Sequence, residues 1–268
     1  MTSLYAELHC LSNFSFQRGA SSAQELFERA HQHGYSALAI TDEAKLAGIV
    51  RAYATIRSMH GAPVGAAAQA NNHAIKLIVG SEFQLSDGPL IVLLCPNRAA
   101  YAEVCALITL ARRRCSKGEY LLHTHDLEDL KHALLLWQPG HHLGPGVSAE
   151  YDIRFARFAQ ALFPRKTWIM YERILDAQES KFGRDYRRWC CRLSNDYHQP
   201  LLCAGNVHMH CRERQNVQDV LSAMRHNTDV ESLGIQSFSN AERYLRPLSK
   251  LRKVYGQQDI AETIRVAD

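Results

Sequence analysis

Short apolar runs recur along the chain, and several stop at an acid or an imidazole. The first is Tyr5-Ala6-Glu7-Leu8-His9-Cys10-Leu11, which runs into the polar turn at 12–16. Three others have the same form: 37–41 ends at Asp42-Glu43, 75–79 at Gly80-Ser81-Glu82, and 201–204 at Gly205-Asn206-Val207-His208. Further runs at 90–94, 133–137 and 167–171 bring the predicted strands to about seven. Between them the apolar residues fall at helical spacing. Ser22 and Glu25 form a capping box ahead of Leu26, Phe27 and Ala30, and Gly34 supplies a stop. Helices are likewise predicted over 46–60, 101–114, 155–163, 186–198 and 214–225, and again from about 241. Residues 61–73 and 141–148 read as surface loops.

Strands alternating with helices predict an α/β fold with a parallel sheet. Seven strands favour a closed or nearly closed barrel, a distorted β/α barrel of the TIM-like kind. The run 90–94 is apolar throughout, as expected of a parallel strand buried on both faces. With no internal repeat or low-complexity linker, residues 1–268 read as one domain, and a following region can begin after about residue 240. Residues 261–268 stop within a helical pattern, which suggests a piece of a longer chain.

Composition narrows the classes. The apolar fraction of 46% fills a large core. No apolar run approaches the roughly 20 residues of a membrane span, and no signal peptide is evident, so the expectation is a cytoplasmic protein with no membrane partner. Eight cysteines without a CxxC pair fit reduced thiols, with Cys190 and Cys191 in a helix core beside Trp189. The net charge of +4 is mild. Arginines cluster at Arg112, Arg113 and Arg114, and at Arg184, Arg187, Arg188 and Arg192. They form either solvated helix faces or a surface for DNA or a neighbouring domain.

Acids and imidazoles at the ends of buried strands are how a parallel barrel builds a site. In metal-dependent hydrolases such groups hold zinc, manganese or iron and activate water for phosphoester attack. The plainer reading of His9 and His208 is buried, hydrogen-bonded histidine, and of Glu82 a loop cap. His123, His125, His141 and His142 lie in polar or Gly/Pro-rich surroundings that read as solvent-facing. Met209 and His210 read as packing residues.

The stretches Glu7-Leu8-His9-Cys10-Leu11-Ser12-Asn13-Phe14-Ser15-Phe16, Ala39-Ile40-Thr41-Asp42-Glu43, Val79-Gly80-Ser81-Glu82-Phe83 and Ala204-Gly205-Asn206-Val207-His208-Met209-His210 together carry a resemblance. So do residues 218–226 and 240–248. The whole chain resembles the PHP (polymerase and histidinol phosphatase) domain that begins bacterial C-family DNA polymerases, in particular the error-prone, damage-inducible kind. The resemblance implies a distorted seven-stranded barrel and, in metal-binding members, a nine-donor cluster. Carried over, that cluster is mostly broken. The second imidazole of its opening motif falls on Leu11, and a donor before the following glycine falls on Arg18. A histidine after Asp42 is Glu43, a histidine at the head of the next strand is Leu90, and the closing aspartate is Asn206. A thiol or imidazole donor near Pro139 is missing. His9, Glu82 and His208 remain, with Glu43 a conceivable substitute.

The expectation is therefore no catalytic residue in this fragment and no resident metal. His9, Glu43, Glu82 and His208 are the vestigial ligands, and Glu7, Leu11, Arg18, Asp42, Leu90 and Asn206 line the old site. Arg18 is expected to turn into that site and pair two-pronged with one or two of the carboxylates. For the parent, the resemblance implies a DNA-directed DNA polymerase (a nucleotidyltransferase) acting in translesion synthesis, DNA repair and mutagenesis. Its magnesium-binding domain would lie elsewhere, and its partners would be the downstream domains, DNA, a sliding clamp and accessory translesion proteins. Two rivals to a silent scaffold are a live phosphoesterase or 3′-5′ exonuclease using zinc or manganese, and a DNA- or partner-binding module.

Overall fold

The computed structural model describes residues 5–59, 75–140 and 149–268, with backbone alone for 177–182. The expected loops at 61–73 and 141–148, with His141 and His142, lie outside the described residues. Seven strands form one sheet in sequential order: β1 Ala6–Glu7, β2 Ala37–Ile40, β3 Lys76–Gln84, β4 Leu90–Leu94, β5 Leu134–Gln138, β6 Thr167–Glu172 and β7 Leu201–Ala204. The sheet closes on itself beyond the ends of β1 and β7. Cys10 bridges Val207, with Leu11 N–H donating to Val207 O at 2.8 Å and Val207 N–H to His9 O at 2.9 Å.

Helices flank the strands: α1 Ala23–Gln32, α2 Gly48–Met59, α3 Arg98–Arg113, α4 Ala149–Leu162, α5 Ala177–Tyr197, α6 Gln215–His226, α7 Leu248–Val254 and α8 Gln257–Ala267. The capping box of Ser22 and Glu25 is formed, and α1 buries Ala23, Leu26, Phe27 and Ala30. Between barrel and helices lies the larger apolar core, in which Trp137 packs at a tilt against Phe155, with ring centroids 5.2 Å apart. The barrel interior is a second, separate core of Ala6, Leu8, Ala37, Ala39, Ile78, Val92, Leu94, Leu136, Met170, Leu202 and Ala204. Apolar on both faces, these strands show the continuous hydrophobic pattern that a covered sheet requires.

Two expectations are corrected. The strand β4 is antiparallel to both β3 and β5, not parallel. Uniform apolarity reports burial on two faces and is silent on direction. Direction is set by the connection: only residues 85–89 separate β3 from β4, and a parallel link needs a crossover of about a dozen residues or more. The reversal places Leu90, the head of β4, at the same rim as the C-terminal ends of the parallel strands, paired with Gln84 and Gln138. The second correction concerns residues 241–247, which are not helical. Tyr244 bridges Met209, and Leu245 N–H donates to Met209 O at 3.3 Å. Pro247 then caps α7. Proline cannot donate within a helix interior but suits its start.

The helix α8 closes the other end of the barrel. Ala267 is buried among the interior residues, with Ile264 and Val266 packed against them. Ala6 N–H donates to Thr263 Oγ1 at 3.2 Å, Trp168 Nε1–H to Glu262 Oε1 at 3.0 Å, and Lys76 Nζ to Ala267 O. One end is thus plugged by apolar side chains, and the polar residues that end the strands gather at the other. All eight cysteines are free, and Cys191 is only half-buried beside the buried Cys190. Among the described residues no helix is long and apolar enough to cross a membrane.

Candidate functional site at the barrel mouth

One polar layer sits on the apolar interior. Its centre is His9, fully buried, held between two acids from opposite sides of the barrel. Nδ1 is 2.5 Å from Glu172 Oε1 at the end of β6, and Nε2 is 2.5 Å from Glu82 Oε2 on β3. Two carboxylates facing both ring nitrogens are satisfied only by an imidazolium, which donates from each. Burial alone would push the His9 pKa down, but Glu172 and Glu82 outweigh it and hold it up at about 10.

Arg18 completes the layer. Its Nη1 bridges Glu82 Oε1 and Glu43, the latter at 2.8 Å to Oε2. One nitrogen makes both contacts, in place of the expected two-pronged fork. Burial of Glu82 favours its neutral form, yet Arg18 and then His9 outweigh that, so its pKa falls well below the usual carboxylate range. Gly19 makes the inward turn of Arg18 feasible. A Cβ there would lie 1.9 Å from Ser12 O, so only glycine lets the 15–19 turn close.

A second set of side chains braces Glu172. Gln138 Nε2–H and Asn206 Nδ2–H donate to its Oε2 at 3.0 and 2.9 Å. Asn206 adopts φ 46°, a left-handed conformation that asparagine tolerates. His208 Nε2 lies 2.9 Å from Asn206 Oδ1, and Nδ1 lies 3.1 Å from Arg18 O. Burial, then the positive charges of Arg243 and Arg18, holds His208 well below its ordinary pKa. A neutral ring carries one proton, so it donates to one of these acceptors and only contacts the other. Tyr120 O–H donates to Glu43 Oε1 at 3.3 Å. Arg243 stacks on Phe238 at 4.6 Å.

The structure thus brings His9, Glu43, Glu82, His208, Arg18 and Asn206 into one cluster, with Leu90 and the buried Leu11 at its edges. Glu7 and Asp42 stand apart from the ion pairs. Glu7 accepts from Tyr5 O–H at 2.7 Å, His9 N–H at 3.0 Å and Gly205 N–H at 2.9 Å. Asp42 accepts from Ser12 N–H, Ser12 Oγ–H and Ser15 Oγ–H at 2.7–2.8 Å. Burial raises both carboxyl pKa values, and these donors pull them back. His123 is half-buried against Ser86, and His125 is exposed and stacks on His123. Met209 is buried, and His210 meets Ser21 Oγ at 2.8 Å.

Glu172, Gln138, Tyr120 and Arg243 were not foreseen. Glu172 immediately follows the run at 167–171, so the rule that found Glu82 would have found it; Gln138 follows the run at 133–137 but is a neutral amide outside that rule. Tyr120 and Arg243 reach the mouth from loops and carry no such signal.

The donor set does not fit a metal cluster. An imidazolium at His9 has no lone pair to give. Both oxygens of Glu82 are engaged, one by Arg18 and one by His9, and both of Glu172 likewise. Leu11 and Leu90 offer no donor atom, and Arg18 puts a fixed cation inside the carboxylate set. Among the described residues, no three His, Cys, Asp or Glu side chains are grouped to hold a metal ion.

The buried ion pairs have a pH signature. His9, raised from an ordinary 6.5 to about 10, contributes stability that is complete below pH 6.5 and is lost as pH rises through 10. Glu82, lowered, contributes stability present above its ordinary value and lost as pH falls below it. Urea unfolding from pH 7 to 10.5 should therefore show wild type losing more stability than His9→Gln. Parallel curves would show that His9 carries no proton of this kind.

A family model described as PHP domain matches residues 7–185. The chain is 43% identical over 268 residues to a protein named error-prone DNA polymerase of Pseudomonas syringae pv. syringae, covering 100% of this chain and 24% of that protein. It is 41% identical over 264 residues to one of the same name from Vibrio campbellii, covering 98% and 24%. The chain spans about a quarter of the length of these curated relatives. Among solved structures, an amidohydrolase from Chromobacterium violaceum aligns at TM-score 0.48 and 14% identity over 76% of this chain and 87% of that one. With the family model matched over most of its length, the chain belongs to the PHP domain family.

Proposed function

We propose that this chain is the N-terminal PHP domain of an error-prone DNA-directed DNA polymerase used in damage-induced translesion synthesis, and that the barrel itself is a catalytically silent framework. On this reading the polymerase chemistry, with its magnesium, belongs to downstream domains, which this barrel steadies and orients. DNA, a sliding clamp and accessory translesion proteins would be partners of the parent, in the cytoplasm. The single observation supporting silence is the placing of two cations against Glu82, Arg18 on one oxygen and the His9 imidazolium on the other. A hydrolytic metal needs such a carboxylate as ligand, and one bound there would sit against both cations.

The rival is a live metal-dependent phosphoesterase or 3′-5′ exonuclease, and one experiment separates the two. Protein purified without chelator should carry far less than one zinc or manganese per chain, and it should not degrade 3′ ends when manganese is added. Stoichiometric metal together with manganese-dependent cleavage that Glu82→Gln abolishes would end the framework reading.

A binding role has separate support. Arg173, Arg184, Arg187, Arg188 and Arg192 line a cleft of about 780 Å³ beside Tyr171. Arg184, Arg188 and Arg192 succeed one another at four-residue steps along α5, about 6 Å apart along the axis. The pairs Arg188–Asp185 and Arg192–Asp196 are exposed and therefore weak. Guanidinium groups at such spacing suit successive phosphates of a strand. Fluorescence anisotropy with single-stranded DNA should show affinity falling with salt, and Arg188→Ala should reduce the salt slope by about 1. No binding at low salt would remove this role.

A further inference from the structure

The helix α6 is mounted on the barrel with its sides reversed. Gln218 and Ser222 face inward and are 1% and 6% exposed. Val217, Val220 and Met224 face outward and keep 40%, 49% and 59% of their surface. Their spacing of three and four residues puts them on one stripe, which in an ordinary surface helix would point at the core. Of its apolar residues the helix buries only Ala223 fully and Leu221 in part. The side-chain oxygens of Gln215 and Gln218 are buried and accept no hydrogen bond, an arrangement that is disfavoured when nothing else compensates. By contrast α1 obeys the usual rule, with its leucine, phenylalanine and alanines inside. Part of the trait recurs in α2, where Val50 and Tyr53 are 74% and 55% exposed and Arg57 is buried.

We propose that the stripe Val217, Val220 and Met224 is the seat on which a downstream segment of the same, longer polypeptide packs. The inference rests on the reading of this chain as one domain of a longer polymerase. Two observations choose this occupant. Three side chains on a twelve-residue helix offer far less than the roughly 800 Å² per partner of a stable association between separate molecules. The relatives matched over this whole chain extend well beyond it, this chain being 24% of their length. A segment joined covalently meets the stripe at an effective concentration of about millimolar, so a small seat suffices. Its chemistry is an apolar ridge that covers two valines and a methionine.

Methionine oxidation reads the seat directly. Met170 and Met209 are fully buried and serve as protected references within the same molecule. In the 268-residue chain, dilute peroxide should oxidise Met224 quickly and the two references slowly. In the full-length protein Met224 should react at least tenfold more slowly. There, Val220→Asp should restore its oxidation while Met170 and Met209 stay protected, which separates loss of docking from unfolding. Equal Met224 rates in the two proteins would overturn the inference. So would continued protection in the Val220→Asp variant, or protection in the 268-residue chain that grows with concentration, which would mark a second copy as the occupant. A barrel found to bind metal and cut DNA while Met224 is covered would end the silent-framework reading and leave the docking seat standing.

Discussion

Everything at the mouth of this barrel depends on one imidazolium shared by two buried glutamates. His9, just beyond β1, reaches Glu82 on β3 and Glu172 on β6, so a single ring ties three parts of the wall across the barrel axis. Two acids in a low-dielectric interior repel each other and lose hydration. They persist there only beside positive charge. Metal ions are one source, and protonated or guanidinium side chains are another. Here the charge comes from His9, Arg18 and, at slightly longer range, Arg243. Such a network confers little net stability against an apolar replacement, but removing one member strands the others and is costly. It therefore fixes the mouth in one arrangement.

The rest of the fold serves that layer. The apolar interior below it, sealed by α8, keeps water from the ion pairs and concentrates polarity at one end. Reversal of β4 brings its first residue, Leu90, to the rim in place of its last, Leu94. The 15–19 turn can close over Arg18 because Gly19 has no side chain. Asn206 and Gln138 then hold Glu172 at its second oxygen, so every oxygen of the two glutamates on the His9 axis already accepts from a protein donor. The same arrangement that makes the layer self-sufficient makes it a poor host for a hydrolytic metal.

Much of this was legible in the sequence because the barrel obeys a simple rule: bury a run, then end it in something polar. Apolar runs located all seven strands, and the acid or imidazole ends of four of them predicted the neighbourhood of His9, Glu43, Glu82 and His208. The runs were silent on strand direction, since an apolar run looks the same either way. The short turn at 85–89, with Ser86-Asp87-Gly88-Pro89, held that information instead. Glu7 and Asp42 could not be sorted from Glu82 by type or position. What separates them is a set of hydroxyl and backbone donors, from Tyr5, Ser12, Ser15 and Gly205, that only the folded chain assembles. The inward turn of Arg18 could be anticipated from charge balance, but its sharing of one nitrogen between two acids could not.

The most direct measurement is nitrogen NMR of the His9 ring, with zinc or manganese titrated in at neutral pH. The account predicts that both ring nitrogens carry protons at pH 7 to 8 and that their shifts do not change as metal is added. A ring with one bare nitrogen that loses its remaining signal or shifts at one equivalent of metal would contradict it.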